Sequence, residues 1–355
     1  MTTYKRLGDY ISEVNVRNRE LKVTNLLGLS IEKRFIPSIA NTIGTDMSSY
    51  KIVSPTQFAY VPVTSRNGDK ITIALYKGME NAIISQAYTV FEVNDHDALL
   101  PEYLMMWFRR PEFDRYARFH SHGSAREVFE WEELCDVMLP IPSIERQREI
   151  VEEYETLSHR ISLNEQMIKH LEATAQALYR KMFVDSINKE NLPDGWRMGT
   201  IEELAEIKNG KAIIPDSGNI SVYGGNGIVG LTTKPNAENV IVIGRVEINC
   251  GSLCLHQGGC YVNDNAMMAI PLDGNLIFLY WILKGMDLNS QSEGSGQPLL
   301  TQSIIYKQEC IIPKQELRAE FEYQGQIIYK QKSLLKQEYS KLSELQSLLL
   351  AKMGQ

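Results

Sequence analysis

The chain repeats itself, and that limits its possible folds more than any single motif does. Shifted by 171 positions, Gly123-Ser124 falls on Gly294-Ser295 and Ile141-Pro142 on Ile312-Pro313. Glu145 and Glu149 fall on Glu316 and Glu320, and Ser162-Leu163 on Ser333-Leu334. Leu171 falls on Leu342, Leu178 on Leu349, and Lys181-Met182 on Lys352-Met353. The stretches 123–182 and 294–353 align without a gap at roughly 13 identities. Upstream the match is looser. Tyr103–Trp107 and Phe278–Ile282 each read as a short apolar helix, and Tyr4-Lys5-Arg6 and Gly195-Trp196-Arg197 each open a half with an aromatic and a basic residue. The order is variable unit, shared helix, variable unit, shared helix.

Both shared segments read as long helices. From Ile150 the apolar positions are Tyr154, Leu157, Ile161, Ile168, Leu171, Ala175, Leu178 and Met182, with one polar member at Asn164. Steps alternating between four and three are the seam of a coiled coil. The second seam, Phe321, Ile328, Leu335, Tyr339, Leu342, Leu349 and Met353, is interrupted at Gly325, Lys332 and Gln346. Pro142 and Pro313 stand just before the helices, where proline is tolerated. About 40 residues per helix gives a rod of roughly 60 Å. Two such seams can bury each other as an antiparallel pair. An ordinary core helix also carries an apolar stripe, but few run so long.

The variable units mix α and β. Ile71–Leu75 and Tyr88–Val93 look like strands and Glu102–Phe108 like a helix. Val240–Ile243 and Ala266–Ile270 look like strands, Tyr223–Gly227 like a turn, and Thr200–Glu203 like a capping box that starts a short helix. With 355 residues and 43% hydrophobic content, the chain can bury sizeable cores. No secretory signal opens it, and its most apolar stretch, Leu276–Leu283, is far too short to cross a bilayer. Five cysteines, odd and sparse, point to free thiols in a reducing cytoplasm.

Sites that could do chemistry are weak. Asp194 followed by Glu206 and Lys208 matches a metal-dependent nuclease pattern, but the capping box places Glu206 within or just past a helix. Cys250, Cys254, His256 and Cys260 could hold zinc, but the spacing is not a tight knuckle and packed thiols are the simpler expectation. Gly224-Gly225-Asn226-Gly227 lacks the rest of a phosphate-binding loop. No nucleophile, base and orienting group stand together.

The organisation resembles the specificity subunits of type I restriction–modification systems. The resemblance is carried by Ile36–Asp46 followed by Ser49–Val53, by Ser85–Phe91, and by Tyr223–Gly230 with Ile243-Gly244-Arg245. Leu192-Pro193-Asp194-Gly195-Trp196 is similar to the usual opening of a second domain, and Gly294–Thr301 with Ile311-Ile312-Pro313 to its usual close. Essentially the whole chain is covered. The first copy departs where Arg126-Glu127-Val128 stands in place of Gln297-Pro298-Leu299.

The resemblance implies an α+β fold: two mixed α/β target-recognition domains joined by two long antiparallel coiled-coil helices in a pseudo-twofold repeat. The expected bounds are 1–142 and 191–313 for the domains, and 143–190 and 314–355 for the helices. It also implies a binding function, with no catalytic residue, no metal and no cofactor in the chain itself. Each domain would read one half of a bipartite double-stranded DNA site, while the helices set the spacer and dock two methyltransferase subunits. Those subunits would use S-adenosylmethionine, and restriction motor-nuclease subunits would join them. No membrane is involved. Base readout favours Arg, Lys, Asn and Gln on loops, and phosphate contacts need a placed donor. The candidates are Thr64, Ser65, Arg66, Asn67, His122, Ser124 and Arg126 in the first domain. In the second they are Lys211, Asn226, Arg245, Ser295 and Gln297. Arg109, Arg110, Arg115 and Arg118 form a basic patch that could hold phosphate, or pair with Glu112 and Asp114. A metal-dependent nuclease and a structural coiled-coil adaptor remain the alternatives. The net charge of −7 argues against a free-standing nucleic-acid binder. The acidity is greatest in 191–313, with 7 basic against 12 acidic residues, so a DNA reader of this composition is expected to lean on partners.

Overall fold

The computed structural model describes residues 4–38, 44–65, 68, 70–123, 126–246, 249–291 and 299–354. The chain divides into two compact units, Met1–Leu163 with Glu338–Gln355, and Asn164–Gln337.

The first unit opens with strands β1 (Tyr4–Arg6), β2 (Ile11–Val14), β3 (Leu27–Leu29), β4 (Phe35–Pro37) and β5 (Lys51–Val53). Then come β6 (Phe58–Tyr60), β7 (Ile73–Leu75), β8 (Ala82–Ile84) and β9 (Thr89–Val93). Helices α1 (Pro101–Phe108), α2 (Pro111–Phe119) and α3 (Trp131–Cys135) follow, then β10 (Met138–Pro140) and the start of α4 (Ile144–Phe183). Strands β2, β9, β6 and β7 form an antiparallel sheet in that order, with smaller pairs β3–β4 and β5–β8. α1 begins on a proline at its first turn, where the missing N–H costs nothing. It stops before Pro111, because Arg110 ahead of a proline is held extended (φ −69°, ψ 137°). Seven of its eight residues are buried. Phe108 packs edge-on to Phe58 (5.8 Å) and Phe91 (6.3 Å), which stack on each other at 4.9 Å. Burying each such ring contributes about 1.5–3 kcal/mol. Tyr154, Leu350 and Met353 from the long helices complete this core.

The second unit contains β11 (Arg197–Thr200), β12 (Ala205–Asn209), β13 (Ile220–Gly224) and β14 (Gly227–Thr232). It continues with β15 (Ala237–Gly244), β16 (Leu253–Val262) and β17 (Ala266–Pro271). α5 (Leu276–Lys284), α6 (Gln302–Tyr306), β18 (Glu309–Ile312) and α7 (Gln315–Lys352) follow. Its six-stranded sheet runs β12-β17-β15-β16-β13-β14, antiparallel except between β16 and β13. α5 is apolar on every side from Leu276 to Leu283, and all eight residues are buried. It packs with Ala175, Phe183, Phe321 and Tyr329 of the long helices.

The repeat is visible element by element. α6, β18 and α7 begin 171 residues after α3, β10 and α4. Each unit ties its opening strand antiparallel to its closing one, β1 with β10 and β11 with β18. α2 has no counterpart among the described residues of the second unit. Glu206 lies just past the capped segment, on strand β12, because that segment is a single 3-10 turn, Ile201–Glu203. Its cap survives, with the Glu203 carboxylate accepting from the Thr200 amide at 3.1 Å.

Every seam position on both long helices is buried or half-buried, including the three that break the second seam. Each break has a local cause. Gln346 donates to the Ser158 hydroxyl at 2.7 Å in the first unit. Lys332 pairs with Glu172 in the second. A Cβ at Gly325 would lie 2.9 Å from Ile277 of α5, so glycine lets the two helices close up. Within the first unit the helices run antiparallel, since Ser158 meets Gln346 while Arg160 meets Glu338 at 2.7 Å. Within the second, Glu172 meets Lys332 while Tyr179 meets Phe321 at 5.7 Å. Asn164 is 2% exposed with its Nδ2 unpaired among the described residues. A buried polar residue in an apolar seam is a known means of fixing register.

Candidate nucleic-acid interface

In the first unit the structure brings the two predicted segments together. The Thr64 amide donates to the Glu127 carbonyl at 3.0 Å, and the Phe129 amide to the Pro62 carbonyl at 2.8 Å. His122 and Val128 exchange backbone hydrogen bonds of 3.0 and 2.9 Å. That pairing closes a short loop around Gly123, whose φ of +135° suits glycine. A Cβ there would strike the Arg126 carbonyl at 2.1 Å. Thr64 is only 5% exposed, and its hydroxyl also donates to Glu127 (3.3 Å), so it holds the two segments together. Ser65 and Arg126 are exposed. The His122 side chain is exposed too, its Nε2 3.8 Å from Glu133. His120 is braced by Glu133 at 2.7 Å and lies against the Tyr116 ring at 4.2 Å. Arg66, Asn67 and Ser124 lie outside the described residues.

In the second unit three predicted residues gather at one end of the sheet. Asn226 is exposed in the two-residue turn between β13 and β14, whose ends pair Gly224 with Gly227. The Ser252 hydroxyl donates to the Gly225 carbonyl at 2.7 Å, pinning that turn to the β15–β16 connection. Arg245 follows β15, with its amide donating to Asn265 (3.3 Å) and its carbonyl accepting from Leu300 (3.0 Å). Lys211 follows β12, is exposed, and donates its amide to Val262 at 3.1 Å. Gly244 lets these chains meet, since a Cβ there would be 2.2 Å from the Asn249 carbonyl. The Arg245 Nε is buried without an acceptor among the described residues. A buried donor in that state calls for a partner. Ser295 and Gln297 lie outside the described residues.

The other candidates resolve differently. Asp194 is fully exposed and pairs with Lys314 at 3.2 Å, while Glu206 pairs with its own neighbour Lys208 at 2.7 Å. Cys250 and Cys260 are buried and Cys254 half-buried, all as free thiols. Burial pushes the Cys260 thiol up to about 11, and His256 meets the Tyr223 hydroxyl at 3.0 Å. Among the described residues no group of three or more His, Cys, Asp or Glu could hold a metal ion. None of the described helices is long and apolar enough to cross a membrane.

The basic patch separates into parts. Arg110 is buried with its guanidinium 4.2 Å from the Trp107 ring centre, and lies 3.7 Å from Glu112. Arg115 meets Glu112 at 3.2 Å. Asp114 is taken by a residue outside the patch. It accepts from Lys33 at 2.7 Å and from the Ile71 amide at 3.1 Å. Lys33 also donates to the Phe108 carbonyl. Burial lowers the Lys33 ammonium from the usual lysine range, with Asp114 opposing. Sequence reasoning missed Lys33 and Lys70, which lie in irregular segments where no periodicity marks them.

Comparison with known proteins comes from three directions. Residues 193–346 match the type I restriction modification DNA specificity domain family. The type I restriction enzyme HindI specificity subunit of Haemophilus influenzae is 26% identical over 149 residues. That match spans 41% of this chain and 32% of the relative's length. The crystal structure of the type I restriction–modification system S subunit from M. genitalium superposes with a TM-score of 0.70 at 14% identity, over 99% of this chain and 96% of that one. A chain from a structural study of the assembly and conformational transition of the type I system gives 0.50 at 16% identity, over 99% and 97%. At these identities the two solved structures speak to the fold.

Proposed function

We propose, from the premise that this chain belongs to the type I restriction–modification specificity subunits, that it reads a bipartite double-stranded DNA site and catalyses nothing itself. Each variable unit reads one half-site. The first does so through Ser65–Asn67 and the loop His122–Arg126. The second does so through Lys211, Asn226, Arg245 and the segment holding Ser295 and Gln297. The observation that carries this reading is the convergence of separately predicted polar loops at one place within each unit. Arg and Asn there can address base edges in pairs of hydrogen bonds.

The long helices dock two methyltransferase subunits that bring S-adenosylmethionine, and motor-nuclease subunits complete a restricting complex in the cytoplasm. α4 alone, at 40 residues, is about 60 Å long and so exceeds one turn of duplex, about 34 Å. Methylome sequencing of cells with and without the chain tests the reading. Deleting the chain should erase one gapped methylation motif. An unchanged methylome, with the methyltransferase present, would contradict it.

A further inference from the structure

The first unit holds a cavity that neither the family match nor the readout loops account for. Its volume is about 630 Å³, and Lys33, Lys70, Arg109, Arg115 and Arg118 all line it. The acids lining it are Glu32 and Asp114. Asp114 is already satisfied by Lys33 and the Ile71 amide. Glu32 stands 3.7 Å from Lys70, both exposed. Exposed pairs of that kind, like Arg115 with Glu112, are worth little and yield readily to a better anion. Arg109 is half-buried at the α1–α2 junction and faces the cavity without a carboxylate partner among the described residues.

The cavity adjoins the readout loop. Lys70 follows that loop within a few residues, and Arg118 donates to its Gly68 carbonyl at 2.7 Å. Guanidinium groups match phosphate oxygens in a fork, and an ammonium adds a point charge. Residues 1–142 carry 16 basic against 18 acidic residues, so a cationic cavity there is a local concentration rather than a general surplus.

We infer that this cavity is a phosphodiester site, gripping a backbone phosphate of the DNA beside the half-site that the first unit reads. The inference rests on the DNA-reading function proposed above. It assigns affinity without sequence preference to the cavity, and leaves sequence preference to the loops.

The test uses the full chain assembled with its methyltransferase subunits and two fluorescent duplexes, one with the methylated motif and one without it. Binding is followed across a salt series for wild type, Lys70→Gln, and the double variant Arg109→Ala with Arg115→Ala. Lys70→Gln alters one exposed loop residue, so it guards against misfolding of the double variant. The expected result is a fall of about one in the slope of log affinity against log salt for each phosphate no longer neutralised. The fall should be equal on both duplexes, with the methylation motif unchanged. Unchanged slopes in variants of a wild type that binds DNA would overturn the inference and leave the proposed function standing. Failure to associate with the methyltransferase at unchanged slope would overturn it too, since the anion would then be an acidic protein surface. A wild-type complex that binds neither duplex would overturn both.

Discussion

Asp114 holds a buried ammonium in place, and removing it should be costly. In Asp114→Ala, Lys33 would stay buried with only the Phe108 carbonyl to receive its charge. Breaking one side of such a pair costs about 3–5 kcal/mol. Thermal unfolding should show a clear drop for this variant and none for Asp194→Ala, whose partner Lys314 is half exposed. Glu322 has a different signature. It accepts from the Ile277 and Phe278 amides at the start of α5, at 2.7 and 3.2 Å, and burial raises its carboxyl above the usual range. A folded value raised above the unfolded one adds stability below about pH 4.5 and loses it as pH rises through the folded value. Wild type should therefore lose stability relative to Glu322→Gln as pH rises above about 4.5 in denaturant titrations. A constant difference between the two would contradict this. Glu172 runs the opposite way. Burial alone would raise it, but hydrogen bonds from Lys284 and Lys332 hold it low, so its contribution is lost as pH falls.

The long helices show which elements a sequence discloses. Their seams are legible because period decides which face is buried, and the strands Val240–Ile243 and Ala266–Ile270 because a short unbroken apolar run marks a strand buried on both faces. The breaks at Gly325, Lys332 and Gln346 are visible as breaks, yet their causes sit on other elements: Ile277, Glu172 and Ser158. Pattern along one stretch of sequence carries no information about such partners. The same limit leaves Glu206 within or just past a helix in the sequence, and the fold puts it just past a single 3-10 turn and on a strand, because a capping box does not say how many turns follow it. The short pairs β3–β4 and β5–β8 leave no signal, as three-residue strands have too little period to count. Residue type marks the loops of the interface but not their convergence, which depends on backbone bonds such as Thr64 to Glu127. At Gly325 the packing can be tested directly. Gly325→Leu should destabilise the chain, because the side chain must enter space that Ile277 occupies. Gly325→Ala should cost less, because its single methyl must displace Ile277 only slightly and gains about 1 kcal/mol of helix propensity. A loss in Gly325→Leu no larger than in Gly325→Ala would contradict this account of the contact.

At the scale of the whole molecule, charge and repetition have to be reconciled. A chain of net charge −7 supplies little of the phosphate neutralisation that DNA affinity depends on. On the proposed function, the pure chain should therefore bind duplex weakly at physiological salt, and tightly only once the proposed methyltransferase subunits have joined. Tight binding by the pure chain would show that this account of the charge is wrong. Repetition bears on specificity. If each unit reads DNA as proposed, two related units on related helices should each answer for one part of the target, independently of the other. The most direct measurement is the methylome of cells in which residues 1–142 are exchanged for the first recognition domain of a type I specificity subunit. One half of the gapped motif should change, with the other half and the spacer retained. A motif unchanged, or changed in both halves at once, would contradict the division of labour on which the account rests.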